Sequence, residues 1–367
     1  MKITKLETFT TPEVSITRVT AEDGTQGIGQ LSTYNADITA QIFHRQVAAH
    51  ALGRDAFDID ELVRLIPERE HKYPGSYLMR ALTGLDTALW DWRGKREGKS
   101  VCELLGGKPR PLRVYASSMK RAEITLEDER ARFLKLRDAH GYDAFKFRVG
   151  SECGRDQDQW PGRTETIVPM IRKALGDEAT LLVDANSCYT PKKAIEVGRM
   201  LEQHGIAHFE EPCPYWEYAW TKEVTDTLNL DVTGGEQDCD LALWRMAIDM
   251  RATDVMQPDI MYLGGLTRTL KVCDWAAKAG LPITPHAANQ SLVTVCTLHL
   301  MGAIPNAGPY VEYSIEGPDY YPWEVGLFRN PLVARDGKVQ IPQDPGWGME
   351  VSPQWLDKAK YQVSELA

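Results

Sequence analysis

Two hydrophobic periodicities divide the chain. Near the start, Lys2–Thr10 and Val14–Thr20 alternate apolar and polar positions, which predicts two strands, and Glu22-Asp23-Gly24 supplies a turn after them. From Ala36 the apolar positions recur at helical spacing, and Tyr77–Gly94 predicts one long, mostly buried helix. Gly106-Gly107, Pro109 and Pro111 then break the pattern, so a domain boundary is expected at about Arg113. Beyond it, short apolar runs alternate with amphipathic helices. The runs are Val114–Ala116, Ala144–Val149, Thr180–Ala185, His208–Glu210, Val232-Thr233, Val255-Met256, Ile283-Thr284 and Tyr310–Tyr313. Each is short enough for a strand buried on both faces. The helices have legible ends: Thr190-Pro191 is an N-cap followed by proline at the first helical position, and Gly205 closes the same helix. Eight strands alternating with helices predict a (β/α)-type barrel. The tail after Gly337 holds a short strand and then loop-like sequence.

An open doubly wound sheet is the alternative, but its fingerprints are poor. Gly27-Ile28-Gly29 is followed by Ser32 and no helix opens there, and Gly98-Lys99-Ser100 has Arg93 where a phosphate loop needs its first glycine. Composition narrows the partners. Lys plus Arg is 42 against 52 for Asp plus Glu, a net charge of −10, which argues against a nucleic-acid binder. No run of 18 apolar residues suggests a membrane span, and the N-terminal residues lack the look of a signal peptide. Seven cysteines without a CxxC pair suggest reduced thiols, so a cytoplasmic enzyme is expected.

The candidate chemistry lies at the strand ends, which in a barrel face one common mouth. Strand two carries Lys146 and Arg148, two apart and therefore on one face. The later strands end in Asp184-Ala185-Asn186, Glu210-Glu211-Pro212, Gly234-Gly235-Glu236, Gln257-Pro258-Asp259 and Pro285-His286, and the last carries Glu312. Asp184 to Glu210, Glu210 to Glu236 and His286 to Glu312 are each 26 residues, and Asp259 to His286 is 27. The groups recur once per βα unit. Three acids on consecutive strands at matching phase repel one another, and a hard divalent cation removes that cost. Oxygen ligands without His or Cys favour Mg²⁺ over Zn²⁺.

In this order, Lys146-x-Arg148, Asp184-x-Asn186, Glu210-Glu211-Pro212, Gly235-Glu236, Gln257-Pro258-Asp259 and Pro285-His286 resemble the enolase superfamily, in particular its mandelate racemase subgroup. Ala81–Asp91 and Leu104-Leu105-Gly106-Gly107 resemble the capping domain of that family. The resemblance implies an α/β fold: a modified TIM barrel, (β/α)7β, at about 114–337, an α+β N-terminal cap at 1–113, and a C-terminal tail, 338–367, returning to the cap. It implies one Mg²⁺ on Asp184, Glu210 and Glu236, Glu210 being preferred to Glu211 because the first acid of this motif is the family's ligand. It also implies a base that removes the proton α to a substrate carboxylate. Lys146 would mainly bind that carboxylate. Asp259 beside His286 suits an orienting pair, the carboxylate holding one ring nitrogen and leaving the other free.

One departure decides the expected reaction. The subgroup usually carries Lys-x-Lys on strand two, the second lysine acting as a base. Arg148 stands there, and a guanidinium stays protonated at any working pH. A two-base racemase is thereby weakened and a one-sided site centred on His286 is expected, which suits β-elimination. The expectation is a dehydratase of sugar acids giving a 2-keto-3-deoxy acid, with a racemase, epimerase or cycloisomerase as the alternative. A catalytically silent barrel is disfavoured by the triad and His286, and a zinc hydrolase by Ala116-Ser117-Ser118 in place of His-x-His. Asn186, Glu312, Tyr34, His71 and Lys72 are candidate substrate-binding residues, the last three from cap loops. Ser151–Arg163 is long for a βα loop, and Trp160 and Arg163 within it are expected to touch substrate or a neighbouring subunit. Tyr215, Trp216, Tyr218 and Trp220 form an aromatic cluster after strand four. A homo-oligomer acting on a small carboxylate is expected.

Overall fold

The computed structural model of the protein describes residues 1–366. Its N-terminal part is an antiparallel sheet of three consecutive strands, joined at the edge of the first by the last strand of the chain, with helices on one face. β1 (Ile3–Thr10) and β2 (Ser15–Ala21) are the two strands that alternation predicts. β3 (Gln26–Gln30) is a strand that the pattern does not predict. Its glycines explain both facts. A Cβ at Gly27 would collide with the Ala88 carbonyl, and one at Gly29 would lie 2.5 Å from the Ala88 nitrogen. The strand therefore presses backbone to backbone on a helix, which requires glycine and hides β-propensity. That helix, Ser76–Glu97, is the predicted long one, extended by a turn and closed by Gly98 in the left-handed region.

The larger part is a parallel sheet in chain order: β4 (Pro111–Ser117), β5 (Ala144–Arg148), β6 (Thr180–Asp184), β7 (Ile206–Glu210), β8 (Asp231–Gly234) and β9 (Val255–Met256). Single parallel bridges, Met256 to Ile283 and Ile283 to Ala307, carry the order round to β10 (Val311–Ser314), which pairs with β4. Helices follow the first seven strand positions, as in (β/α)7β. Their apolar faces cover the outside of the strands, while Tyr115, Ala144, Leu182 and Tyr310 form a small inner cluster.

The tail opens with the expected short strand after Gly337 and is more ordered beyond it than its loop-like sequence suggests. β11 (Lys338–Gln340) pairs antiparallel with Arg113–Pro111 under the barrel. Trp347 is buried and donates its indole N–H to the Thr87 carbonyl at 2.9 Å. β12 (Lys360–Glu365) then adds an edge to the cap sheet, Thr10 opposite Lys360 through Lys5 opposite Glu365. Its outward positions are only half apolar, so its strand character comes from the waiting edge of β1. A further joint is Asp86, buried on the long helix, whose carboxylate accepts from Leu266 N–H at 2.5 Å at the start of helix Leu266–Lys278. A capping carboxylate from another element thus ties the cap to the barrel. No described helix is long and apolar enough to cross a membrane.

Candidate active site

Strand register sets the heights of the polar groups. Arg148 lies opposite Asp184, and Asp184 opposite Glu210, across β5, β6 and β7. Glu236 follows β8 by two residues. One carboxylate oxygen from each of Asp184, Glu210 and Glu236 falls within 4.8 Å of the others, and all three side chains are buried. Glu211 is also buried, with its backbone at φ 41°, and its Oε1 has no hydrogen-bond partner. Burial and the neighbouring charges of Glu236 and Glu210 push its carboxyl well above the usual range. Glu236 is likewise raised, by burial and by Glu210 among the like charges. These acids resist ionising together, which is the condition a divalent cation relieves.

Two cations already answer part of that charge. The Lys146 ammonium is fully buried, 2.8 Å from Glu210 and 2.7 Å from Glu312. Burial alone would lower its pKa, but Glu210 and Glu312 outweigh it and hold the lysine protonated. Arg148 pairs with Asp184 and donates to Asn186 Oδ1 at 2.8 Å. Asn186 bonds Asp184 through its backbone N–H at 2.8 Å and its side-chain amide at 3.1 Å. Asn186 therefore orients the acid and joins it to Arg148. Glu312 accepts from Ser117 Oγ and from Ala287 N–H, each at 2.7 Å. Burial would raise its pKa, yet Lys146 and His286 bring it down to about 2.

Opposite stands His286. Its Nδ1 donates to Asp259 Oδ2 at 2.7 Å, and its Nε2 lies 3.4 Å from Glu236 Oε2. The other Asp259 oxygen accepts from the N–H groups of Met261 at 2.7 Å and Tyr262 at 3.0 Å, so the carboxylate cannot swing away. Burial pulls the His286 pKa down, but Glu236, Asp259 and Glu312 lift it to about 9. The free Nε2 faces the triad, the position from which a proton can be exchanged with a molecule held there.

The cap residues separate. Tyr34, in the left-handed region at φ 63°, lies over the mouth beside Tyr321. His71 is exposed and its Nδ1 meets the Glu68 carbonyl at 3.1 Å, and Lys72 is exposed on the same turn. Among the described residues no hydrogen bond or ion pair ties either to the barrel mouth. Arg163 is buried and donates to the Arg148 carbonyl at 2.7 Å, so it braces the end of β5 instead of reaching outward. Trp160 is exposed and flanks it. Tyr218 bonds Asp238, while Tyr215, Trp216 and Trp220 stay partly exposed.

Several groups around the site carry little sequence signal. Gln257 donates to Glu210 at 3.0 Å, and the Gln-Pro-Asp motif marks its place. Arg121 donates to Asn186 Oδ1 at 2.9 Å from the loop after β4, where only proximity to a strand end points to it. Burial and the charge of Arg148 lower its pKa to about 9.

With this geometry in hand, residues 128–355 match the family model for the enolase C-terminal domain-like region, and residues 2–106 match the mandelate racemase / muconate lactonizing enzyme N-terminal domain. The chain belongs to this family, within the enolase superfamily. Among its relatives, arabinonate dehydratase of Saccharolobus solfataricus is 26% identical over 348 residues, spanning 92% of this chain and 88% of that one. A crystal structure from Roseobacter denitrificans, assigned provisionally as a racemase, is 60% identical and covers 100% of both chains with a TM-score of 0.98. L-Talarate dehydratase from Polaromonas sp. JS666, complexed with Mg and L-glucarate, superposes with a TM-score of 0.85 at 24% identity, covering 100% of this chain and 99% of that one. Enolase-superfamily members bind Mg²⁺, and the buried acidic triad of this chain fits such an ion.

Proposed function

We propose that this protein is a Mg²⁺-dependent sugar-acid dehydratase, converting an aldonate or aldarate to a 2-keto-3-deoxy acid. The observation that carries the reading is the asymmetry of the site. One flank holds an oriented imidazole, His286 on Asp259, while the other holds Arg148, paired with Asp184 and unable to accept a proton. In this reading Asp184, Glu210 and Glu236 are the metal ligands. A bound Mg²⁺ would neutralise charge growing on the substrate carboxylate as the α-proton leaves. Lys146, kept protonated between Glu210 and Glu312, adds a fixed positive charge beside that carboxylate. Glu236 is the main charge that lifts the His286 pKa, so once a bound cation neutralised it, Nε2 would be free to accept the α-proton and pass it to the departing β-hydroxyl, which leaves as water. Asp259 holds Nδ1–H throughout, so the ring neither flips nor changes tautomer.

The test is a panel of aldonates and aldarates incubated with Mg²⁺ and enzyme, read by semicarbazide for keto acid. Keto acid from at least one member is the expected result, and none from any would sink the proposal. A racemase or epimerase is the second reading, favoured by the provisional assignment of the Roseobacter denitrificans relative. Run in D₂O, that reaction places deuterium on the α-carbon of recovered acid without releasing water.

A further inference from the structure

Arg80 is a cation of the cap without an acidic partner. No carboxylate among the described residues pairs with it, although Lys146 and Arg148 are each committed to acids. Its Nη1 donates to Ser32 Oγ, in the loop that also carries Tyr34, and its Cζ lies 3.5 Å from the centroid of the Tyr262 ring. The Tyr262 ring in turn lies 5.9 Å from the His286 ring, and its backbone N–H holds Asp259. One aromatic side chain therefore lies against both the unpaired guanidinium and the candidate acid–base residue. Tyr262 is only 9% exposed, yet its hydroxyl has no protein hydrogen-bond partner among the described residues and is not sealed from solvent. The same holds for the remaining N–H groups of Arg80.

A guanidinium presents its N–H groups as a fork that matches a carboxylate, and stacking on an aromatic face fixes that fork in place. We infer that Arg80 and Tyr262 form a subsite for the far end of the substrate, with Arg80 taking a second carboxylate and Tyr262 a hydroxyl beside it. The substrate class is then the aldarates, which carry an acid at each end, in preference to the aldonates. This inference rests on the sugar-acid reading of the same site. It concerns binding, however, and can be separated from the reaction.

The measurement is calorimetric titration in the presence of Mg²⁺, using the H286N protein so that no probe is consumed. The probes are galactarate against galactonate and glucarate against gluconate, pairs that differ only in a terminal carboxylate against a hydroxymethyl group. The diacid of at least one pair should bind tenfold or more tightly than its partner. R80M should erase that preference, R80K should restore part of it, and Y262F should weaken the diacid with an unchanged melting temperature. Equal affinity within both pairs, no binding by any probe, or a preference that survives R80M would each overturn the subsite. Turnover is measured separately on the unaltered enzyme. A diacid that binds through Arg80, with no member of the aldonate and aldarate panel yielding keto acid, supports the subsite and removes the dehydratase reading.

Discussion

At the level of single residues, the site is a balance between acids that repel and the few cations that hold them. Of the three triad acids, Glu236 is compensated among the described residues only by His286 at 3.4 Å and a Gln237 amide at 3.0 Å, and burial and Glu210 raise its carboxyl. Glu236→Gln removes one buried charge. Its metal-free form should melt above the unaltered protein, because an uncompensated buried carboxylate is costly. The same variant should lose most of the rise in melting temperature that millimolar Mg²⁺ gives the unaltered protein, since binding stabilises only through the folded site. A Mg²⁺ shift left intact would remove Glu236 from the ligand set. His286→Asn keeps a side chain of similar shape and loses the proton carrier. Turnover should fall by about 10³, within the 10²–10⁴ that general acid–base groups contribute. The rise in melting temperature with Mg²⁺ should stay in place, and comparable turnover would exclude His286 from the chemistry. The sequence shows these residues through their once-per-unit spacing. It does not show Tyr262 or Arg80, because neither stands in a polar motif and their proximity arises only when the cap docks.

At the level of elements, the joints between cap, barrel and tail depend on buried polar groups. His299 on helix Leu292–Met301 accepts the Cys102 N–H at 2.9 Å, and its other ring nitrogen meets the Trp347 carbonyl at 3.2 Å. Burial lowers its pKa from 6.5 to about 4. The folded protein holds this ring neutral while the unfolded chain takes up a proton below pH 6.5. Stability from this group is therefore full above pH 6.5 and is lost as pH falls toward 4, at up to ~1.4 kcal/mol per pH unit. His299→Asn keeps an acceptor near Nδ1 and cannot be protonated. Urea unfolding between pH 4 and 7 should show a slope smaller by about one proton in that variant. His208, pushed to about 4 by burial, leaves a similar slope of its own. An unchanged slope would assign the proton elsewhere. β3 and β12 show why some elements elude the pattern. One is glycine-rich because a helix backbone lies on it, and the other is a strand because an edge is available.

For the whole molecule, the chain ends meet. β12 pairs with β1 at a separation of 350 to 360 residues, and the Tyr361 hydroxyl donates to Glu7 at 2.8 Å while its ring lies 5.3 Å from Phe9. Removing residues 360–367 should expose the edge of β1 and lower the melting temperature by several degrees, a loss of roughly 3 kcal/mol or more for a chain of this size. Thermal unfolding of the truncated protein checks it, and an unchanged transition would show that the cap sheet stands without its last strand. What the sequence alone determined is whatever repeats locally: the alternation of runs and helices, the long buried helix, and the acids, Asp259 and His286 at one position per βα unit. Those features follow from side-chain period and strand polarity, which are properties of neighbouring residues. What tertiary structure decided is which of these groups are left unpaired. Arg148 is committed to Asp184, Lys146 to Glu210 and Glu312, and Arg163 to the end of β5, whereas Arg80 retains free donors. Charge pairing depends on distances of a few ångströms between segments far apart in the chain. No local pattern encodes those distances until the cap closes over the barrel.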